Sequence, residues 1–258
     1  MTRHVAVTGA ASGIGHALAA LLTARGDEVI GVDLADAEVC ADLSTPDGRA
    51  SAVGGVLERC DGVLDALITC AGVAAPGRLM ISVNYFGTTE LVTALRPALA
   101  AADRPRVGVV GSISGTQQGD PRIVAACLSG DESLATARAE EAVARGDARQ
   151  LYPSSKAALA QWLRRTCVSP GWADAGIPLN AVAPGVVLTP MSAELVADER
   201  MREVMREAVP MPLNGYADPE TVAHALAWLT APENSHITGQ VVYVDGGAEA
   251  TLRGPEQF

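Results

Sequence analysis

The sequence predicts an α/β protein built on one doubly wound parallel sheet with helices on both faces. Three observations carry that prediction. Short apolar, β-rich runs alternate with Ala/Leu segments of helical length. The runs are apolar throughout, as strands covered on both faces should be. A glycine-rich turn, Thr8-Gly9-Ala10-Ala11-Ser12-Gly13-Ile14-Gly15, joins the first run to the first helical segment.

Taken in order, the strand candidates are His4–Thr8, Glu28–Asp33, Leu64–Ile68, Arg106–Gly111, Pro178–Ala183 and Gln240–Asp245. The first helix reads as His16 to Arg25. In the turn before it, Gly9 permits a tight bend, Gly13 lets backbone approach a pyrophosphate, and Gly15 permits close packing of helix on strand. The free N–H groups of that helix start favour an anion. Asp33 ends the second run, where a carboxylate can accept hydrogen bonds from ribose hydroxyls. It would repel a 2′-phosphate. Leu34 and the neutral Ala10, Ala11 and Ser12 offer no compensating cation, so the expected cofactor is NAD rather than NADP. Thr45-Pro46-Asp47 reads as a cap followed by proline at the first helical position.

The stretch from 116 to 150 breaks the rhythm. Asp120-Pro121 reads as a helix start and Gly130 as its end. Ser129-Gly130-Asp131-Glu132 fits a capping box, and Gly146 fits a C-terminal cap. A helical pair inserted at the rim of the sheet is expected. It either decorates the surface or shapes the substrate mouth or an oligomer interface. The segment 190–215, with Met191, Leu195, Val196, Met201, Val204, Met205, Val209 and Met211, is expected to form a lid. Its apolar residues serve either an apolar substrate or the packing of an amphipathic helix on its own core. Arg200, Arg202 and Arg206 either face solvent or meet an acidic substrate group.

Composition narrows the function. The 258 residues suit one domain spanning 1–258, and 48% hydrophobic residues are ample for its core. The net charge of −11 argues against nucleic acid or an anionic membrane surface as partner. No apolar run reaches the length of a membrane span. The start, Met1-Thr2-Arg3-His4, lacks the apolar region of a signal peptide. Five scattered cysteines read as reduced core thiols of a cytoplasmic protein, and four unclustered histidines give a metal site little support.

The chemistry-bearing residues come late in the chain. Tyr152-Pro153-Ser154-Ser155-Lys156 puts a phenol and an ammonium four residues apart, on one helix face. Pro153 places Tyr152 at or just before the first turn. A nearby ammonium lowers a phenol's pKa from about 10 toward working pH. On spacing alone the pair also fits a solvated helix face. Ser112 follows the run Arg106–Gly111, at the strand end where such sheets collect ligands. Ser114 is the competing hydroxyl, and an ordinary Ser-rich turn is the alternative reading of both.

Together these motifs resemble the short-chain dehydrogenase/reductase family from about Thr2 to Gly247. The glycine turn, with Gly9, Ser12, Gly13, Ile14 and Gly15, matches the family's cofactor motif. Asp42-Leu43 resembles its adenine-contacting pair. Thr69-Cys70-Ala71-Gly72 resembles its Asn-Asn-Ala-Gly strand end with both asparagines replaced. Asn84 resembles the relay asparagine that kinks a long helix and holds a water. Ser112, Tyr152 and Lys156 resemble the catalytic trio, since aligning Gly111-Ser112-Ile113-Ser114-Gly115 with the family pattern selects Ser112. Pro184-Gly185-Val186-Val187-Leu188-Thr189-Pro190 resembles the nicotinamide loop, with Val187 and Thr189 at the contacting positions. Asp245-Gly246-Gly247 matches the last strand end.

The span from Gly72 to Asn84 is shorter, and that from Ser112 to Tyr152 longer, than is usual in the family. Both departures, with Asp36–Thr45, Ser82–Gly87 and Gln257-Phe258, resemble the bacterial 3α-hydroxysteroid dehydrogenase/carbonyl reductase branch. The resemblance implies reversible hydride transfer between NAD(H) and a secondary alcohol or ketone. The expected substrate is an apolar one, such as a hydroxysteroid or a cyclic or terpenoid alcohol. Epimerase, dehydratase, enoyl reductase and non-catalytic NAD sensor remain alternatives on the same scaffold. A homodimer or homotetramer is expected, with the insertion beside the Tyr152 helix favouring the dimer.

Overall fold

A computed structural model describes residues 2–257. Phe258, half of the C-terminal Gln257-Phe258 resemblance, lies outside the described residues. The chain opens with β1 (His4–Thr8), α1 (Gly13–Ala24), β2 (Glu28–Asp33), β3 (Val39–Cys40), α2 (Pro46–Arg59) and β4 (Ala66–Thr69). A long helical run follows as α3 (Arg78–Ile81), a π-helical turn (Ser82–Gly87) and α4 (Thr88–Ala100). Next come β5 (Arg106–Val110), α5 (Pro121–Leu128), α6 (Glu132–Ala144) and α7 (Leu151–Thr166). The chain closes with β6 (Leu179–Pro184), α8 (Ala193–Ala197), α9 (Glu199–Ala208), α10 (Pro219–Leu229), β7 (Val241–Val244) and α11 (Ala248–Arg253).

The strands form one seven-stranded parallel sheet in the order β3-β2-β1-β4-β5-β6-β7. The order reverses beside β1, so β1 and β4 diverge into a crevice at their C-terminal ends. Two hydrophobic cores flank the sheet. One gathers Ala6, Ile30, Leu67, Val107 and Leu179 with helices α2, α4 and α7. The other packs Val5, Val7, Ile68 and Val182 against Leu18 and Leu22 of α1 and Val222 and Leu226 of α10. Alternate residues along β1 feed opposite cores, which is why the run had to be apolar throughout.

The predicted strands fall within two residues of the observed ones. β3 was not predicted, because two residues are too short to form a recognisable run; Val39 simply pairs with Val32 at the sheet edge. The helix expected from His16 starts at Gly13 instead. Thr45 caps α2 by accepting from the Gly48 N–H, with Pro46 in the first turn. Asp120 caps α5 by accepting from the Arg122 N–H.

The capping box at Ser129 is corrected. Asp131 is the cap of α6, accepting from the Leu134 N–H, while the Ser129 hydroxyl donates to the Ala126 carbonyl. Glu132, freed from capping, pairs with the buried Arg49 of α2. Arg49 is only 3% exposed; it also pairs with Glu90 of α4 and donates to the Leu43 carbonyl. One guanidinium therefore joins the insertion, α4 and the strand end that carries Asp42 and Leu43.

Candidate active site

The crevice above the sheet opens into a cleft of about 550 Å³. Its floor at one end is the glycine turn, and each glycine there has its own reason. Gly9 has φ +70°, and a Cβ on it would lie 2.8 Å from the Ala71 nitrogen. A Cβ on Gly15 would overlap the Gly9 carbonyl, so α1 sits directly on the turn at the end of β1. Gly13 has φ +53°, and a Cβ there would press on Thr189 at 3.3 Å.

The turn is held from two sides. Asp33 accepts from the Ala11 N–H at 2.9 Å and from the Leu34 N–H at 2.7 Å. The Thr8 hydroxyl oxygen accepts from the N–H groups of both Cys70 and Ala71 at 3.1 Å. Thr69 and Cys70 stand where the family has its two asparagines, and here Thr8 fixes the strand end through the Cys70 and Ala71 N–H groups.

These residues fit a dinucleotide. Ser12 precedes α1 in extended conformation but makes no side-chain cap, and the first intrahelical bond starts at the His16 N–H. The N–H groups of Gly13, Ile14 and Gly15 are therefore free for a phosphate at the positive end of a twelve-residue helix. Asp33, Asp42 and Leu43 line the same end of the cleft. Asp42 accepts from the Ser44 N–H, and hydrogen bonds from Ser44 hold its carboxyl below the usual range. Cys70, Ala71 and Gly72 line the middle, and Pro184, Gly185, Val187 and Thr189 close the far wall. Ser192, which the sequence reading passed over, braces that wall. Its hydroxyl donates to the Val187 carbonyl and accepts from the Thr189 N–H.

Ser112, Tyr152 and Lys156 meet in this cleft. Ser112 follows β5 and begins a short helical turn, its hydroxyl oxygen accepting from the Ser114 N–H. Tyr152 is the second residue of α7, with Pro153 in the first turn where its missing N–H costs nothing. Lys156 follows one turn later. Its ammonium donates to the Val110 carbonyl at 2.9 Å and sits 5.7 Å from the centre of the Tyr152 ring.

The electrostatics correct one expectation. Lys156 was expected to lower the Tyr152 pKa, yet burial pushes the phenol above its ordinary value, with a hydrogen bond from Ser112 drawing it part-way back. Burial acts on the ammonium too, bringing Lys156 down to about 8. Lys156 is committed to the Val110 carbonyl, and desolvation sets the direction in which the phenol is shifted. Burial also raises the neighbouring Cys70 thiol to about 12, so it stays protonated.

Asn84 is held by backbone contacts on both sides of its amide. It does lie in a break of a long helix, the π-helical turn between α3 and α4. Its amide, 1% exposed, grips the Val73 backbone from both sides, accepting from the N–H at 2.8 Å and donating to the carbonyl at 2.9 Å. Asn84 therefore fixes the loop after Gly72 and does not line the cleft. Asp245 is likewise engaged in the fold, accepting from the Gly247 and Glu249 N–H groups at the start of α11.

The substrate end is built from the 190–215 segment and the flanks of the insertion. Met191 and Leu195 line the cleft, Val196 and Met211 pack around Ile113 and Val186, and Met205 and Val209 do both. The segment thus serves both of the uses expected of it. Arg206 pairs with Glu203, Arg202 donates to the Val196 carbonyl, and Arg200 is exposed; none of the three lines the cleft. Helices α5 and α6 do not reach the cleft and pack against α7 and α3. Only the flanks contribute, through Gln117 and Arg149, which sequence reasoning missed. Gln117 ties the insertion to α9 by donating to the Ala208 carbonyl.

No helix among the described residues is long and apolar enough to cross a membrane, and no group of three or more His, Cys, Asp or Glu among them is placed to hold a metal ion.

Comparison with known proteins agrees with this geometry. A family model described as enoyl-(acyl carrier protein) reductase matches residues 9–249. The chain is 37% identical to the 3-alpha-hydroxysteroid dehydrogenase/carbonyl reductase of Comamonas testosteroni, over 98% of this chain and 99% of that one. It is 32% identical to cis-4-hydroxycyclohexanecarboxylate dehydrogenase of Sinomonas cyclohexanicum, over 96% and 97% of the two chains. The crystal structure of 3-alpha-hydroxysteroid dehydrogenase from Pseudomonas sp. B-0831 complexed with NADH superposes with a TM-score of 0.90 at 45% identity, covering 97% of this chain and 98% of that one.

Proposed function

The chain belongs to the short-chain dehydrogenase/reductase family, and from that membership we propose the following reading of its site. The protein is an NAD-dependent oxidoreductase of secondary alcohols and ketones. Its substrates are apolar and cyclic. The relatives' names point that way, since a 3-hydroxysteroid and 4-hydroxycyclohexanecarboxylate are both ring-borne secondary alcohols.

The observation that carries the reading is the meeting of Ser112, Tyr152 and Lys156 in the same cleft as the glycine cradle. NAD, held by Gly9, Ser12, Gly13, Ile14 and Gly15 and by Asp33, Asp42 and Leu43, supplies the hydride chemistry. Cys70, Ala71, Gly72, Pro184, Gly185, Val187 and Thr189 wall the remainder of that half of the cleft.

In ketone reduction Tyr152 donates its proton to the carbonyl oxygen, and in oxidation it takes the proton back. Burial keeps the phenol protonated, which suits the reductive direction at neutral pH. Ser112 hydrogen-bonds the same oxygen and orients it. Lys156 presents a cation between the Val110 carbonyl and the Tyr152 ring, where it binds ribose hydroxyls and favours the phenolate as it forms. Asn84 positions the Gly72–Val73 loop under the reacting centre. Carbonyl chemistry is favoured over enoyl reduction because the serine, tyrosine and lysine are all present.

The protein is read as a cytoplasmic homo-oligomer whose five cysteines are free thiols. Light scattering on the purified protein distinguishes dimer from tetramer.

The test is NADH consumption with a panel of cyclic ketones, 3-ketosteroids included, with NADPH in parallel. Ketone-dependent oxidation of NADH, with the matching alcohol as product, is expected. Absence of turnover in a protein that binds NADH overturns the enzymatic reading.

A further inference from the structure

We infer that the protein carries a second small-molecule site, outside the catalytic cleft, where the insertion leans on α4 and α7. Its ligand is a compact aromatic amine with a hydroxyl on the ring.

The site is a cavity of about 470 Å³, within the range of ligand pockets. It shares no lining residue with the catalytic cleft. Phe86 from the π-helical turn and Trp162 from α7 supply aromatic walls. The end of α5 supplies Cys127 and Leu128, so the insertion builds one side of the cavity. Phe86 is 2% exposed and meets the Tyr85 ring edge-on at 5.0 Å, which fixes that wall.

The buried end holds a polar group without a partner. Tyr85 lines the cavity and is 3% exposed, yet among the described residues no hydrogen bond reaches its hydroxyl. Buried phenols usually find a partner, and this one faces a cavity instead. Burial raises its pKa, with the nearby Cys127 thiol adding to the rise. Cys127 is itself raised to about 12 by burial, so both groups stay protonated. A ligand hydroxyl can accept from the phenol and donate in turn, which supplies the missing bond.

The outer end is negative. Glu90 is exposed, and among the described residues it is the one charged side chain in the lining. Arg165 acts on the Tyr85 phenol from outside that lining. Glu90 shares the buried Arg49 guanidinium with Glu132, so two carboxylates divide one cation and the cluster keeps a net negative charge. An ammonium is attracted there and a carboxylate is repelled. Tyr85 and Glu90 stand five residues apart on one helical run, a rise of roughly 7 Å. A single ring with a two-carbon arm spans that distance. Its hydroxyl then meets Tyr85, its face packs on Phe86 and Trp162, and its ammonium meets Glu90.

Three probes dissect the site by calorimetry on the NADH-loaded protein: tyramine, phenethylamine, which lacks the hydroxyl, and 4-ethylphenol, which lacks the ammonium. Tyramine is expected to bind about threefold or more tightly than either, as one added polar contact gives. Tyr85→Phe, which removes a hydroxyl without a partner and keeps the fold, should cancel the advantage over phenethylamine alone. Glu90→Gln, which leaves Arg49 paired with Glu132, should cancel the advantage over 4-ethylphenol alone. Ala94→Trp, at an exposed lining position on α4, should fill the cavity and remove all binding. Failure of tyramine to bind overturns the inference, as do equal affinities for the three probes or advantages that survive in the variants. Absent binding together with a change of mass in Ala94→Trp by light scattering also overturns it, and makes the cavity a contact between two copies of the chain. None of these readouts requires turnover, so failure of the carbonyl reductase reading is seen separately, in the ketone panel.

Discussion

The two ends of the cleft are built on different principles. The dinucleotide end is made of backbone: a glycine turn, a helix start and two strand ends, held by Thr8, Asp33 and Asn84. The substrate end is made of side chains carried on α9, on the flanks of the insertion and on the start of α7. None of the residues in α8 or α9 is fully buried, whereas Val5, Ala6 and Val7 of β1 are wholly inaccessible. A backbone-built site tolerates little change because moving it moves the sheet. A side-chain-built site can change its ligand while the fold stays as it is, and this is where relatives of one fold diverge in substrate.

Substitutions can break or sharpen this contrast. The largest effect is expected at the junction of the two ends. Tyr152→Phe removes the proton donor and should reduce ketone turnover by roughly 10²–10⁴-fold, with NADH binding retained by fluorescence titration. Near-normal turnover would reject Tyr152 as the acid.

Next comes the backbone-built end. Gly9→Val combines a strained positive φ with overlap on Ala71. Conformation alone should cost on the order of 1–3 kcal/mol, visible as a lower Tm together with loss of NADH binding. A variant that binds NADH normally would show that the cradle is not set by this turn.

Arg49→Met tests whether the insertion is tied to that same end. It strands Glu90 and Glu132, which are partly exposed, so about 1.5–3 kcal/mol of unfolding free energy should be lost. Because Arg49 also holds the Leu43 carbonyl, NADH affinity should weaken with it. An unchanged NADH affinity would mean that the insertion serves the substrate end alone.

Lys156 supplies a pH test. Its folded pKa is about 8 against 10.5 in the unfolded chain. Between those values the unfolded chain holds a proton that the folded protein has released, so stability rises with pH there. Below pH 8 the burden of the buried ammonium is fully present. Urea unfolding of wild type against Lys156→Met should therefore show the wild type gaining, from pH 8 to 10, at most about 1.4 kcal/mol per pH unit. A constant difference would place the ammonium in water rather than under the phenol.

The smallest effect belongs to the side-chain-built end. Gln117→Leu releases the tie to α9, worth at most about 0.5 kcal/mol for one solvent-exposed hydrogen bond. It should raise the KM for ketone a few-fold and leave NADH affinity where it was. A larger change in NADH affinity than in ketone KM would erase the distinction between the two ends.

Much of the dinucleotide end was legible in the sequence because its determinants are local. Gly9, Gly13 and Gly15 declare a turn that only glycine can make, and Asp33 stands at the strand end beside it. The caps Thr45 and Asp120 were readable for the same reason, since a cap acts within three residues of itself. The capping box at Ser129 misled because Asp131 offers a competing acceptor two residues on, and because Glu132 is drawn away by Arg49, 83 residues distant in sequence. Asn84 could be placed on a bent helix, but its hold on Val73 depends on how the loop returns across it. Gln117 and Arg149 carried no signal, since neither residue type nor spacing marks a cleft mouth.

By itself the sequence determined the doubly wound sheet, the glycine cradle and the presence of a serine, a tyrosine and a lysine able to act together. These follow from hydrophobic period, glycine conformation and helical spacing, all of which operate over a few residues. Only the tertiary structure decided that Lys156 is desolvated and bound to Val110, that Met205 and Val209 serve the cleft wall and a core at once, and that Arg149 joins the cleft lining while Arg122, Arg138 and Arg145 pair with carboxylates. Those outcomes depend on which distant groups share a dielectric environment or compete for the same carboxylate, and chain order does not record that competition.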